Sequence, residues 1–218
     1  MKYLILDFGR VIAGPTTGEW FITPKFLELI DINKLDKDRF YEIFMKYEHL
    51  LSQKLLTREE EYEMFFKLYD SVLNEYNYPG YTKEIAKEIA HDFTYNYGKY
   101  TLYDNVFNEL DRLKEKYILI LLTDNWPCVI NYLKDNNLYD YFDKVYISSI
   151  YGAQKRNGVF FDYPINDYNI KNGEALFIDD NETNLKEAVK RGLDVLLMDR
   201  DKKVTNSEYK IINDLLEV

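Results

Sequence analysis

Four short polar stretches stand beside apolar runs. LILDFGRVI closes its run on Asp7, LLTDNWP sets Thr123 beside Asp124, YGAQKRNG carries Lys155, and FIDDNETN carries Asp179, Asp180 and Asn184. Carboxylates at the first and last of these suit a hard cation such as Mg2+, which takes oxygen ligands. A hydroxyl and an ammonium suit an anion. Taken singly, each residue has a plainer use. Asp7 or Thr123 can cap backbone amides, Lys155 can be a surface lysine, and Asp179 and Asp180 can be solvated charges favoured near a helix that starts after Asn181. As a set they describe a cation site beside an anion site, provided the chain brings all four to one place.

The elements that would do so are legible as apolar runs at Tyr3 to Leu6, Ile118 to Leu122, Val145 to Ile147, Ala175 to Ile178 and Val195 to Met198. Helical spacing follows most of them: Val106, Leu110 and Leu113, then Leu185, Ala188 and Val189 closed by Gly192. Five strands alternating with helices predict an α/β fold built on a parallel, doubly wound sheet. In such a sheet, ligands bind beyond the carboxyl ends of the strands. Residues 14–103 interrupt the alternation with helix starts near Pro24, Asp36, Thr57 and Thr82 and no convincing strand. Thr57 and Glu60 make a capping box, in which hydroxyl and carboxylate each satisfy an orphan backbone donor. Gly14-Pro15 and the Gly98 region bound the interval. It reads as an inserted helical cap on a core of 1–13 and 104–218.

With 218 residues, 46% of them hydrophobic, the chain is long enough for a packed core with an appendage. The single cysteine, Cys128, cannot form an intrachain disulfide, and the N-terminus lacks a signal-peptide pattern, so a cytoplasmic protein is expected. No apolar run approaches the roughly 20 residues that span a bilayer. A net charge of -10 opposes sequence-independent binding to phosphate backbones. Membrane and nucleic acid are therefore not expected partners. The 21 tyrosines are scattered, which makes them compositional rather than a recognition surface.

LDFGRVI, LLTDN, GAQK and FIDDNETNLKEAVKRG, in this order, resemble the motifs of the haloacid dehalogenase superfamily of hydrolases. The branch resembled carries its helical cap just after the first motif, and the DFG and FIDDN stretches are most similar to its sugar-phosphatase and epoxide-hydrolase N-terminal group. The resemblance implies a three-layer Rossmann-like parallel sheet core and Mg2+-dependent hydrolysis of a small phosphorylated metabolite through an aspartyl phosphate. It makes Asp7 the nucleophile and the metal ligands Asp7, the carbonyl of Gly9, Asp180 and, directly or through water, Asp179. Thr123 and Lys155 bind and neutralise the phosphoryl group. Arg156 is the substitute if Lys155 faces solvent. The amides of Phe8, Gly9 and Asp124 complete the cradle, and Asn184 orients the acidic loop.

Gly9 departs from the pattern. Most phosphatases of this family carry a second aspartate there, which protonates the leaving alcohol and then activates water, a contribution of about 10^2 to 10^4 in rate. A leaving group that needs little protonation, another proton source, or weak activity are the three consequences open to this chain. Two other readings stand beside the phosphatase: a 2-haloacid dehalogenase, which attacks carbon without a metal, and a weakly active or inactive phosphate-binding regulator. Among the remaining residues, Cys128 reads as a small buried hydrophobe and His49 and His91 lack metal-ligand spacing. Trp20, Phe21 and the aromatics of EYEMFFKLY read as cap core, with Glu19 and Trp20 near enough to its entry to face substrate.

Overall fold

The computed structural model describes residues 1–218. Its main sheet has six strands, all parallel. They are β1 (Tyr3–Leu6), β4 (Ile118–Thr123), β5 (Lys144–Ile147), β6 (Ala175–Asp179), β7 (Asp194–Met198) and β8 (Ile211–Ile212), in the spatial order β5-β4-β1-β6-β7-β8. The four residues of β1 are all buried because it lies between β4 and β6 with helices on both faces, which is why LILL-type runs show no polar alternation. The two faces separate by parity. Leu4 and Leu6 pack with Leu119 and Leu121 against α5 (Val106–Lys114) and α6 (Cys128–Asp135). Tyr3 and Ile5 pack with Ile120 and Leu122 towards α8 (Val159–Tyr168) and α9 (Glu182–Val189). The result is the expected three-layer α/β core. Short α7 (Ser148–Tyr151) follows β5.

Three details differ from the sequence reading. The sheet gains a sixth strand, β8, whose two residues are too short to register as a pattern. The interval read as strandless begins and ends in β2 (Ala13–Pro15) and β3 (Tyr100–Leu102), an antiparallel pair in which Ala13 faces Leu102 and Pro15 faces Tyr100. This ribbon forms because the chain leaves and re-enters the core at one place, so the two short segments satisfy each other's backbone groups. Val189 is also exposed, although it shared the helical pattern of Leu185 and Ala188.

Between these strands lie α1 (Pro24–Leu29), α2 (Lys37–Tyr47), α3 (Arg58–Tyr76) and α4 (Lys83–His91). Thr23, Asp36 and Thr57 each accept from an amide of the first turn, and the Thr57–Glu60 capping box forms in both directions. These helices bury an apolar cluster of their own, centred on Phe26, Phe40, Phe65, Leu68 and Tyr69. Polar links to the core include Trp126 Nε1 donating to the Leu51 carbonyl at 3.3 Å, Leu55 N to the Ser149 carbonyl at 3.0 Å, Cys128 N to Glu61 Oε2 at 2.7 Å, and Arg156 at 3.7 Å from Glu48. No helix is long and apolar enough to cross a membrane.

Candidate active site

The parallel register brings the first and last polar stretches together. Leu6 pairs with Ile178, so the next residues outward, Asp7 and Asp179, leave the sheet side by side at its carboxyl end. Leu6 also pairs with Leu121, which sets Thr123 close by on β4. Asp7, Asp179 and Asp180 place one oxygen each within 4.8 Å of one another. Unit like charges at that separation repel by about 3 to 4 kcal/mol at an effective dielectric constant of ~20.

Lys155 offsets part of this. It stands in the turn before α8 and is 1% exposed, with Nζ 2.7 Å from Asp7 Oδ1 and 2.6 Å from Asp179 Oδ2. The surface-lysine alternative therefore falls. Arg156 instead reaches out to Glu48 and is no substitute. Asp179 is fully committed: Oδ1 accepts from Asn181 N at 2.8 Å, and Asn184 Nδ2 donates to both oxygens at 3.1 Å. It anchors the lysine from beneath and does not line the cavity above, whereas Asp7 and Asp180 do. Arg10 Nε approaches Asp180 at 3.7 Å, with both side chains partly exposed.

Burial dominates the electrostatics. It pushes the Asp7 carboxyl up to about 8 against the pull of Lys155, with Asp179 and Asp180 adding to the rise. Asp180 is pushed up to about 6 by burial and then by Asp179. Burial opposes the charge of Lys155, but Asp179 and Asp7 outweigh it and hold its ammonium above the ordinary lysine range. Three carboxyl groups gathered around one ammonium make a site of oxygen donors that more positive charge would stabilise in the ionised form. That donor set fits a divalent hard cation.

Beside the acids, the amides of Phe8, Gly9 and Asp124 donate to no backbone acceptor. The Phe8 side chain is buried against Tyr100 and Tyr132, so the backbone is what it offers. Asp124 Oδ1 accepts from Lys155 N at 3.2 Å, fixing one loop to the other. Thr123 and Gly9 line a cavity of ≈ 200 Å³ that opens over Asp7. The far wall is aromatic: Trp20, Phe21, Phe93, Tyr100 and Trp126. Trp20 does face this space, whereas Glu19 is exposed and meets Tyr41. His49 and His91 are exposed in the helical segment, away from the acids, and Cys128 is buried.

Sequence reasoning missed Lys99, Glu61 and Asn125. Lys99 lines the cavity and pairs with Glu61 of α3 at 3.4 Å, both nearly inaccessible. Asn125 Oδ1 accepts from Tyr100 Oη at 2.6 Å and from Trp126 N at 2.9 Å, shaping the loop that carries Thr123. Glu61 looked like one more acid in a helix first turn, and the only available signal was that its neighbours at helical spacing are apolar.

The family model described as haloacid dehalogenase-like hydrolase matches residues 29–198, more than three quarters of the chain. The chain belongs to the haloacid dehalogenase-like hydrolase family. The matched stretch begins after β1, so Asp7 enters the site through the geometry above. A curated relative, the D-ribitol-5-phosphate phosphatase of Bacteroides thetaiotaomicron, is 24% identical over 200 residues and covers 85% of each chain. Among solved structures, YfnB of Bacillus subtilis bound to magnesium superposes with a TM-score of 0.69 at 20% identity, covering 100% of this chain and 97% of that one. A family enzyme of Bacteroides thetaiotaomicron, an aspartate-to-alanine mutant in complex with magnesium and inorganic phosphate, gives a TM-score of 0.65 at 21% identity, covering 94% and 97%. These structures share the haloacid dehalogenase-like fold. Within it, this hydrolase has acids at both positions of its last loop.

Proposed function

We propose that this hydrolase is a Mg2+-dependent phosphomonoesterase acting on a small phosphorylated metabolite of the sugar or polyol class through an aspartyl phosphate. The observation that carries the reading is the set of Asp7, Asp179 and Asp180 around Lys155, facing open amides of Phe8, Gly9 and Asp124. Asp7, Asp180 and the Gly9 carbonyl would hold Mg2+, with Asp179 behind them, and the ion supplies positive charge that lets an anionic nucleophile approach an anionic phosphoryl group.

Asp7 has one oxygen against Lys155, which leaves Oδ2 to attack phosphorus in line. Thr123 and the three amides hold the phosphoryl oxygens and meet the charge that develops on them. Lys155, outside the cavity lining and held against Asp7 and Asp179, bridges and orients those carboxylates in place of the phosphoryl contact that the resemblance implies for it. Water then hydrolyses the aspartyl phosphate. Residues 14–103 act as the cap, closing the aromatic wall over the substrate and excluding bulk water. A cavity of ≈ 200 Å³ lies below the roughly 300–1,000 Å³ of drug-sized sites, and its aromatic wall suits the C–H faces of a polyol chain. Similarity to a ribitol phosphate phosphatase points the same way.

The test is a screen of sugar, polyol, acyl and aryl phosphates with and without Mg2+, run on wild type and Asp7→Asn. Turnover that needs Mg2+ and disappears in a folded Asp7→Asn protein is expected. Phosphate release undiminished by excess chelator would remove the metal. Halide release from a 2-haloacid is not expected, because Asp179 and Asp180 occupy the loop where the dehalogenase branch carries serines.

A further inference from the structure

Gly9 cannot transfer a proton, and the structure leaves little room for a side chain to do it from there. A Cβ at Gly9 would lie 3.2 Å from Trp20 Cζ2, tighter than ordinary packing, so a side chain there needs the indole to give by a few tenths of an ångström. If an alkoxide leaving group is protonated by a side chain, that side chain stands on another wall of the cavity. Two buried ammonium groups stand near it. Lys155 is held between Asp7 and Asp179 at 2.7 and 2.6 Å.

Lys99 is placed differently. It lies where the chain returns from the helices, and its carbonyl is tied to Thr16 N at 3.2 Å at the foot of the β2–β3 ribbon. Its ammonium sits 3.9 Å from the centre of the Phe93 ring, with Tyr100 at 5.0 Å and Trp126 at 5.3 Å. Ring faces attract a cation electrostatically, which helps hold this ammonium in a buried place. The one anion on it is Glu61, at 3.4 Å, and the other Glu61 oxygen is taken by Cys128 N at 2.7 Å. An ammonium has three donors; with Glu61 and the Cys128 sulfur as two partners, Lys99 keeps a third N–H for a ligand in the cavity it lines. A lysine is almost never fully buried unless paired, and this one, 2% exposed, stands at the cavity wall.

We propose that Lys99 is the catalytic residue that handles the leaving group: it hydrogen-bonds the ester oxygen of an alkyl phosphate and protonates it. This rests on the phosphomonoesterase reading. As the P–O bond breaks, its electron pair stays on the leaving oxygen and the Lys99 ammonium gives that oxygen a proton, so that an alcohol departs and a neutral amine remains beside Glu61. The amine then takes a proton from the water that attacks phosphorus in the aspartyl phosphate. Inorganic phosphate and the free Asp7 carboxylate result, and the ammonium is restored. The ionisable groups facing Lys99 are Glu61 from α3, the Cys128 thiol at the start of α6, which burial pushes up to about 12, and the Tyr100 phenol, which burial holds well above its ordinary range.

The experiment compares leaving groups. Wild type, Lys99→Met and Lys99→Arg are assayed on p-nitrophenyl phosphate, whose leaving group departs without a proton, and on ribitol 5-phosphate or another alkyl phosphate that wild type cleaves. Arg is included because it keeps the charge beside Glu61 but does not deprotonate in proteins. The proposal expects kcat on the alkyl phosphate to fall by about 10^2 to 10^4 in both variants, while the aryl ester loses less than about tenfold. Equal losses on both esters, or an arginine variant that cleaves the alkyl phosphate at the wild-type rate, would overturn it. If Lys99→Met does not fold, Lys99→Arg alone decides. Wild type inert towards aryl and alkyl phosphates alike would instead defeat the phosphomonoesterase reading beneath it.

Discussion

Lys155 shows how one residue sets the character of the site. Removing it would leave Asp7 and Asp179 buried without a cation, and breaking a buried pair costs about 3–5 kcal/mol. Lys155→Met should therefore lower stability by that order in urea titrations without Mg2+, besides losing turnover; unchanged stability would mean the carboxylates are not charged as a cluster. Gly9 makes the opposite kind of prediction. Gly9→Asp should not speed the enzyme, because its first side-chain atom already presses on Trp20. The expected results are slower turnover and a shift in tryptophan emission, and faster turnover on alkyl phosphates would show that the indole yields. Cys128 is buried, with its thiol pushed up to about 12 by burial against the opposing pull of Lys99. It should resist iodoacetamide at pH 8 in the folded protein and react on unfolding, since only the thiolate is nucleophilic.

Elements carry these residues, and their ends matter most. The first turn of α3 holds both the capping box and Glu61, the partner of Lys99. Thr57→Ala should cost about 0.5–2 kcal/mol of stability. Its reach into function is testable by KM and kcat for an alkyl phosphate at a temperature where the protein stays folded: fraying of this turn loosens Glu61, so kcat should fall even though Thr57 touches no substrate. By contrast, the Arg156–Glu48 link between helices and core is partly exposed at 3.7 Å, and such pairs contribute about 0–1 kcal/mol. Arg156→Ala should change kcat/KM little. The β2–β3 ribbon, in an interval that shows no convincing strand in the sequence, is what brings Lys99 and Tyr100 to the cavity. Its strands are three residues each, too short for alternation to show.

At the scale of the molecule, the sheet and the helical segment have separate apolar clusters, and the cavity lies where the two meet. Mg2+ bound to the folded acids alone should stabilise by about 2.7 kcal/mol at a concentration 100 times Kd. Thermal scans should move up by several degrees with Mg2+ and back with chelator, and no shift would deny the acids a metal. The same shift should be absent in an Asp180→Ala protein.

The sequence alone determined the α/β core, because buried parallel strands must be apolar throughout and their polar ends then stand out as Asp7, Thr123 and Asp179. It also determined the starts of α1 to α3, since caps are local chemistry at Thr23, Asp36 and Thr57. Tertiary structure decided what those polar ends do to one another. Lys155 reads as any lysine until β1 and β6 lie side by side in register and bury it between two acids. Lys99 and Glu61 are 38 positions apart, and Trp20 covers Gly9 only after the chain has left the core and folded back over it. Charge pairing and exclusion of space act through distance in three dimensions, which neither residue type nor spacing along the chain encodes.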